Sequence, residues 1–316
     1  RRRRTPRSST RRAATNSMKV VERIWHTIST HAQANARWSY TDPPLAQTPR
    51  DLRFIYKPDP MWPWITFDHD QIELRLVAAN CKDATMLEGL EKGWDLHLLA
   101  CCAMFKLPLP PELKDPIHAE ANADWRTIHH WQPCQHETDL CGKDDIRRVF
   151  AKQFGHRQSY GGTPKKAGNI PGAKKLGLTS KDLLQMSQNR AAMFPGLNQW
   201  QSTVVADGSR TGETRTWDGR RRRYLGRGTT YLKGEMLDHP MQAGVQGIET
   251  VIFLAIANEF GRDAIFKYGM HDSQTWAFYA PRYEEAKVKV RELAQPTITI
   301  AGTSMYFPAS FKERIA

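Results

Sequence analysis

The stretch Trp64-Ile-Thr-Phe-Asp68-His-Asp70-Gln-Ile-Glu73-Leu-Arg75-Leu-Val-Ala-Ala constrains the fold more than any other. Its first half is apolar and aromatic and predicts a buried strand. From Gln71 onward, Ile72, Leu76 and Ala79 fall at helical spacing, so the chain turns from strand into helix around Asp68. A carboxylate at a strand end is rigidly held and opens onto a cleft, which suits a hard divalent cation. The plainer alternative is that Asp68 or Asp70 caps the helix that follows.

A second informative element runs from Asp144 to Gly162. Asp144 or Asp145 can cap a helix start, and the glycine pair with Pro164 ends it. Ile146, Val149, Phe150 and Phe154 share one helical face. Arg148, Lys152, His156 and Tyr160 lie four apart on roughly the opposite side. Cations there suit phosphate oxygens, and the ring suits a base. The alternative is a solvated basic face. Ile265 to Tyr279 has apolar residues on both sides of the polar tip His271-Asp272-Ser273, which predicts a β-hairpin.

Other segments carry weaker signals. Val20, Val21, Ile24 and Ile28 sit near helical spacing between Met18 and His31, and the prolines after Asn35 predict an extended loop through Pro49. Phe194-Pro195-Gly196 breaks a helix running from Asp182 to Trp200, and Thr163 to Leu178 reads as a Gly/Pro/Lys loop. Trp217 to Tyr224 predicts a tight turn entering a basic strand. A long apolar helix begins at His239-Pro240-Met241-Gln242. An amphipathic helix over about Tyr283 to Leu293 and a strand at Ile298/Ile300 complete the chain.

The chain has 316 residues, and 46 Lys+Arg against 33 Asp+Glu leave a net charge of +13. That excess favours a polyanionic partner, nucleic acid or an anionic surface. No apolar run approaches the length of a membrane span, and the N-terminus lacks the apolar core of a secretory signal. The 5 cysteines include the vicinal pair Cys101 and Cys102, unlike a disulfide framework, so an intracellular, reducing compartment is expected. Cys134, His136 and Cys141, with His129 and His130, could bind zinc, but their spacing matches no common finger.

Asp68-x-x-Gln-Ile-Glu73-Leu-Arg resembles motif A of the family A DNA polymerases, the group of bacterial DNA polymerase I and many phage replicative enzymes. The resemblance extends over most of the chain from about Arg23. Arg148, Lys152, Tyr160 and Gly161 match motif B, with His156 where the family usually carries an aromatic, as in a phage-type variant. His271-Asp272-Ser273 is similar to motif C, with Ser in place of Glu. The segment around Arg37 resembles the family's primer-contacting stretch, with Trp38, Tyr40, Pro44 and Ala46 departing from it. Gly93-Trp-Asp-Leu-His97 looks like the segment that opens the fingers.

The resemblance implies an α+β fold: a right-hand palm, an antiparallel sheet backed by helices, with mostly helical fingers and a reduced or absent thumb. Ahead of it, the Arg-rich composition of residues 1–17 predicts a basic disordered arm; the divisions the resemblance implies are a thumb/palm remnant with the primer-contacting segment (18–50), a first palm part (51–92), fingers (93–200) and a second palm part (201–316). It implies primer extension with dNTPs by two Mg²⁺ ions, about 3.5–4 Å apart, which Mn²⁺ could replace, held by Asp68 and Asp272. Lys152 joins them as a catalytic residue. Arg148, Lys152, His156, Tyr160, Glu73 and His97 would bind the dNTP, with Glu73 as the gate against a ribose 2′-hydroxyl. Arg37, Arg220, Arg221, Gln242 and His271 would contact primer-template DNA. No proofreading exonuclease is expected to fit, and a processivity or replication partner is. The alternatives are a relative of the single-subunit RNA polymerases, suggested by Ser273, and a catalytically weak DNA-binding remnant.

Overall fold

The computed structural model describes residues 27–29, 38–41, 48, 56–107, 145–170, 172–224, 229–270 and 272–315. In chain order these contain β1 (Thr27–Ser29), β2 (Ser39–Thr41), β3 (Trp64–His69), α1 (Ile72–Cys81), α2 (Ala84–Glu91) and α3 (Leu96–Phe105). Then come α4 (Ile146–Ser159), α5 (Ser180–Met193), α6 (Pro195–Thr211), β4 (Glu213–Arg215), β5 (Arg221–Arg223) and α7 (Thr229–Phe260). The last are β6 (Ala264–Met270), β7 (Ser273–Phe278), α8 (Tyr283–Leu293), β8 (Thr297–Ile300), β9 (Thr303–Tyr306) and β10 (Ala309–Arg314).

A four-stranded antiparallel sheet in the order β10-β3-β7-β6 organises the molecule. The apolar first half of β3 makes it a central strand, with Trp64, Ile65 and Phe67 buried. Asp68 is opposite Ser273 on one side and Ser310 on the other. The core continues into α1, whose Ile72, Leu76, Val77 and Ala78 are 1% exposed or less, and into Ile248, Ile252 and Ile256 of α7. A helical group packs α3 against α4 and α5, with Phe150 stacked on Phe154 at 5.5 Å between ring centres.

Several expectations hold: the strand-to-helix turn after Asp68, the break at Phe194, the β6–β7 hairpin and α8. Others are corrected. Ile28 lies in β1, paired with Tyr40, and not in a helix. The α1 cap position is Gln71, in a left-handed conformation at φ 54° with no side-chain cap, so neither Asp68 nor Asp70 caps that helix. The loop expected over residues 163–178 contains a 3₁₀ turn at Pro164–Asn169.

The long helix α7 starts at Thr229, with Pro240 inside it. Proline removes one helical hydrogen bond, but burial of Leu232, Met236 and Leu237 carries the helix across it. This helix is also long and apolar enough to cross a membrane by length and composition, against the expectation that no run was. Two thirds (67%) of its apolar 18-residue stretch is buried within the protein, as in the core helix of a folded domain. β9 and β10 were not expected at all.

Candidate active site

The hairpin places Asp272 immediately before Ser273, whose partner across the ladder is Asp68. The His69 amide donates to the Asp272 carbonyl at 2.9 Å. The two acids, distant in sequence, therefore share one end of the sheet. Burial, then the neighbouring Asp68, then Glu249 and Glu73, push the Asp272 carboxyl up to about 6. A carboxyl held up by a neighbouring carboxylate is relieved by a cation. The Ser273 hydroxyl donates to the Met270 carbonyl at 2.9 Å and so closes the turn.

The donor set fits a hard cation. Mg²⁺ takes one or two carboxylates and completes its shell with water and phosphate oxygens. Among the described residues, no group of three or more His, Cys, Asp or Glu side chains forms a closed metal cage. The five residues weighed for zinc, Cys134, His136, Cys141, His129 and His130, lie outside the described residues.

Behind the acids runs a buried polar chain. The His69 ring lies with Nδ1 2.9 Å from Glu249 Oε1 and 3.3 Å from the Asp272 carbonyl, and with Nε2 2.8 Å from the Ala294 carbonyl. Burial opposes a charged ring, but Glu249 and the accepting carbonyls outweigh it and raise the His69 pKa to about 8. Gln274 donates to Glu249 Oε2 at 2.7 Å and to its carbonyl at 2.8 Å. Trp276 Nε1 donates to Gln274 at 2.9 Å.

Across the cleft, the α4 stripe is already engaged. Arg148 Nε donates to Asp95 Oδ2 at 2.9 Å, and Nη2 reaches the same oxygen. Asp95 in turn caps α3, accepting from the amides of His97 and Leu98. Lys152 is exposed. His97 is half-buried. Its pKa falls to about 4 through burial and the charges of Lys152, Arg148 and His156, against the pull of Asp95, so its ring is neutral at pH 7.

Glu73 gathers the rest of the stripe. Its Oε2 accepts from the Tyr160 hydroxyl at 2.9 Å and lies 3.2 Å from His156 Nδ1. Its Oε1 accepts from Gln242 Nε2 at 2.8 Å, and the same nitrogen contacts the Tyr160 oxygen. The His156 and Tyr160 rings meet edge-on at 4.8 Å. Burial and Glu73 push the Tyr160 phenol up, which keeps it a donor. Gly161, at φ +75°, turns the chain beside Leu237; a Cβ there would lie 3.0 Å from that side chain.

The DNA-contact expectations divide. Gln242 is only 5% exposed, donates to Glu73 and contacts the Tyr160 oxygen. Arg220 pairs with Asp218 at 2.9 Å, half-buried, while Arg221 is exposed on β5. Arg37 and His271 lie outside the described residues. Sequence reasoning missed Asp95 and Glu249 as partners. A lone carboxylate within the apolar run of α7 was the available signal for Glu249.

The family model of DNA polymerase family A matches residues 4–115. A thermostable DNA polymerase I from Thermus thermophilus is 23% identical over 197 residues, covering 60% of this chain and 19% of the relative. The DNA polymerase of Mycobacterium phage D29 is 23% identical over 274 residues, covering 85% of this chain and 38% of the relative. This chain thus spans well under half the length of these curated relatives. The POL domain of Pol1 from M. smegmatis, solved in complex with DNA primer-template and dNTP, is similar in fold. Its TM-score is 0.70 at 19% identity, over 92% of this chain and 47% of that one.

Proposed function

We propose that this chain, which belongs to DNA polymerase family A, adds dNTPs to the 3′ end of a primer paired to a DNA template. The observation that carries the reading is the meeting of Asp68 and Asp272 at one sheet end, with Glu73, on the helix that follows Asp68, bound to His156 and Tyr160 across the cleft. In family terms the sheet is the palm, and α3, α4 and α5 belong to the fingers. Asp68 and Asp272 would hold Mg²⁺. The chemistry that bound Mg²⁺ supplies at such a pair is activation of a hydroxyl and neutralisation of phosphate charge.

The residues of the chain do the rest. A primer 3′-hydroxyl attacks the α-phosphorus, the bond to the β-phosphate breaks, and pyrophosphate leaves. Lys152 is open to meet the triphosphate as it arrives. Arg148 reaches the phosphates by exchanging or sharing Asp95. His97, neutral, offers a hydrogen bond and no charge. Glu73, held by three side chains, fills the space beside the sugar and excludes a 2′-hydroxyl. Tyr160 supplies a ring face to the nascent pair. Arg220 and Arg221 of the β4–β5 turn lie on the path of the template backbone. Cys81, Cys101 and Cys102 are free thiols.

Primer extension with dNTPs and rNTPs in parallel tests this. The wild-type chain is expected to extend with dNTPs, and Glu73→Ala to raise rNTP use by about a hundredfold, or roughly 2.7 kcal/mol of lost discrimination. No extension with either set, or a wild-type preference for rNTPs, contradicts the reading.

A further inference from the structure

The buried chain behind the acids has no part in the chemistry above. His69 directly follows Asp68 on β3, and Gln274 comes two residues after Asp272 on β7. Both converge on one carboxylate of α7, that of Glu249: His69 approaches Oε1 at 2.9 Å and Gln274 donates to Oε2 at 2.7 Å. His69, Glu249 and Gln274 are 2%, 3% and 1% exposed. The strands that carry the acids are thus joined twice, once by the ladder and once through Glu249.

The second joint matters because the ladder stops short. Its last β3–β7 pair is Asp68 with Ser273, so Asp272 sits one residue past the end. Among the described residues, the Asp272 carbonyl is held by His69 alone, through its amide at 2.9 Å and its ring at 3.3 Å. The ring is itself fixed from the far side by the Ala294 carbonyl at 2.8 Å. Stability alone does not call for such a pair, since well-packed apolar residues of similar volume often serve a core as well or better.

We propose that His69 and Glu249 are positioning residues, a buried tie that sets the placement of Asp272 against Asp68 and thereby the affinity of the acid pair for its divalent cation. This rests on the polymerase reading of the acid pair. Residues that orient metal ligands typically change metal affinity by about 10–100-fold when removed, and an effect in that range is expected here.

The test is Mn²⁺ titration by electron paramagnetic resonance on the full chain with primer-template DNA, alongside thermal melting and single-nucleotide extension. Two variants are compared with wild type: Glu249→Gln, which keeps the shape, and the double variant His69→Phe/Glu249→Met, which replaces the pair by apolar groups. Melting near wild type, with Mn²⁺ affinity and kcat each down by about tenfold and KM for dNTP unchanged, supports the tie. Wild-type Mn²⁺ affinity in folded variants overturns it and leaves the pair a packing feature. If the double variant fails to fold, Glu249→Gln decides by the same criterion. Asp68→Asn serves as the control: if it leaves Mn²⁺ binding intact, the acid-pair reading fails, and the tie with it.

Discussion

At the sheet end of the cleft, Asp68 and Asp272 are set by strand register and by a hairpin turn, and the groups around them are backbone amides, carbonyls and a buried ion pair. On the α4 side, Arg148, His156 and Tyr160 are set by side chains that hold one another: Arg148 by Asp95, and His156 and Tyr160 by Glu73. Backbone register does not change when a ligand arrives. Side-chain partners can be exchanged. The sheet side therefore holds a fixed charge geometry, while the α4 side can trade its internal partners, on the proposed reading for phosphate and sugar contacts. On the proposed reading, an incoming triphosphate would compete with Asp95 for Arg148, and part of its binding energy would go into that exchange.

The contrast is breakable. Arg148→Ala leaves the Asp95 carboxylate, 3% exposed, without its cation. Removing one partner of a buried pair costs about 3–5 kcal/mol, read as a loss in urea denaturation. Lys152→Ala is exposed and is expected to cost under about 0.5 kcal/mol of stability, while lowering kcat/KM for dNTP. Equal stability of the two variants would mean that Arg148 is not bound internally.

A smaller effect comes with pH. His239, on α7 beside the arginine hairpin, is 3% exposed. Burial, and then Arg222, push its pKa down to about 4, with Asp218 pulling the other way. The unfolded chain takes up the proton near 6.5, so the stability from keeping His239 neutral is present above that pH. It is lost as pH falls towards 4, by about 3 kcal/mol in all. Melting followed from pH 7.5 to 4 should show this loss, and His239→Gln should flatten it; an unchanged slope in the variant would remove His239 from the account.

His156→Phe removes one of the three groups on Glu73 and keeps a ring against Tyr160. A fall in dNTP-over-rNTP preference of roughly tenfold, or about 1.4 kcal/mol, is expected in a competition assay. No change would mean that Tyr160 and Gln242 suffice to hold the gate. The smallest effect belongs to Arg221→Ala, on exposed β5. Stability should stay within about 0.5 kcal/mol, and the salt dependence of DNA binding should weaken by about one phosphate contact. An unaltered salt slope would take this arginine off the DNA path.

The same contrast explains what could be read before the structure. An apolar, aromatic run followed by helical spacing, with a turn between them, places Asp68, and an apolar-polar-apolar hairpin places Asp272, because both sites follow from local backbone geometry. The partners on the α4 side join residues far apart in sequence, such as Arg148 with Asp95 and Gln242 with Glu73. Nothing local encodes those meetings, so the pattern that marks Gln242 does not reveal its bond to Glu73. β10 is not legible in the sequence because its Ser310, Lys312, Glu313 and Arg314 lack the apolar signature of a strand, although it pairs along the whole of β3. The sequence points to a helix at β1 because Ile28 and its apolar neighbours fit helical spacing, while a three-residue strand leaves almost no pattern of its own.

The claim on which the rest depends is that Asp68 and Asp272 act as one cation site. A double-mutant cycle of Mn²⁺ affinity in the presence of primer-template DNA, with Asp68→Asn, Asp272→Asn and both together, measures it directly. A shared site predicts that either single change loses nearly as much affinity as the double. Losses that simply add, as for two independent positions, would contradict it.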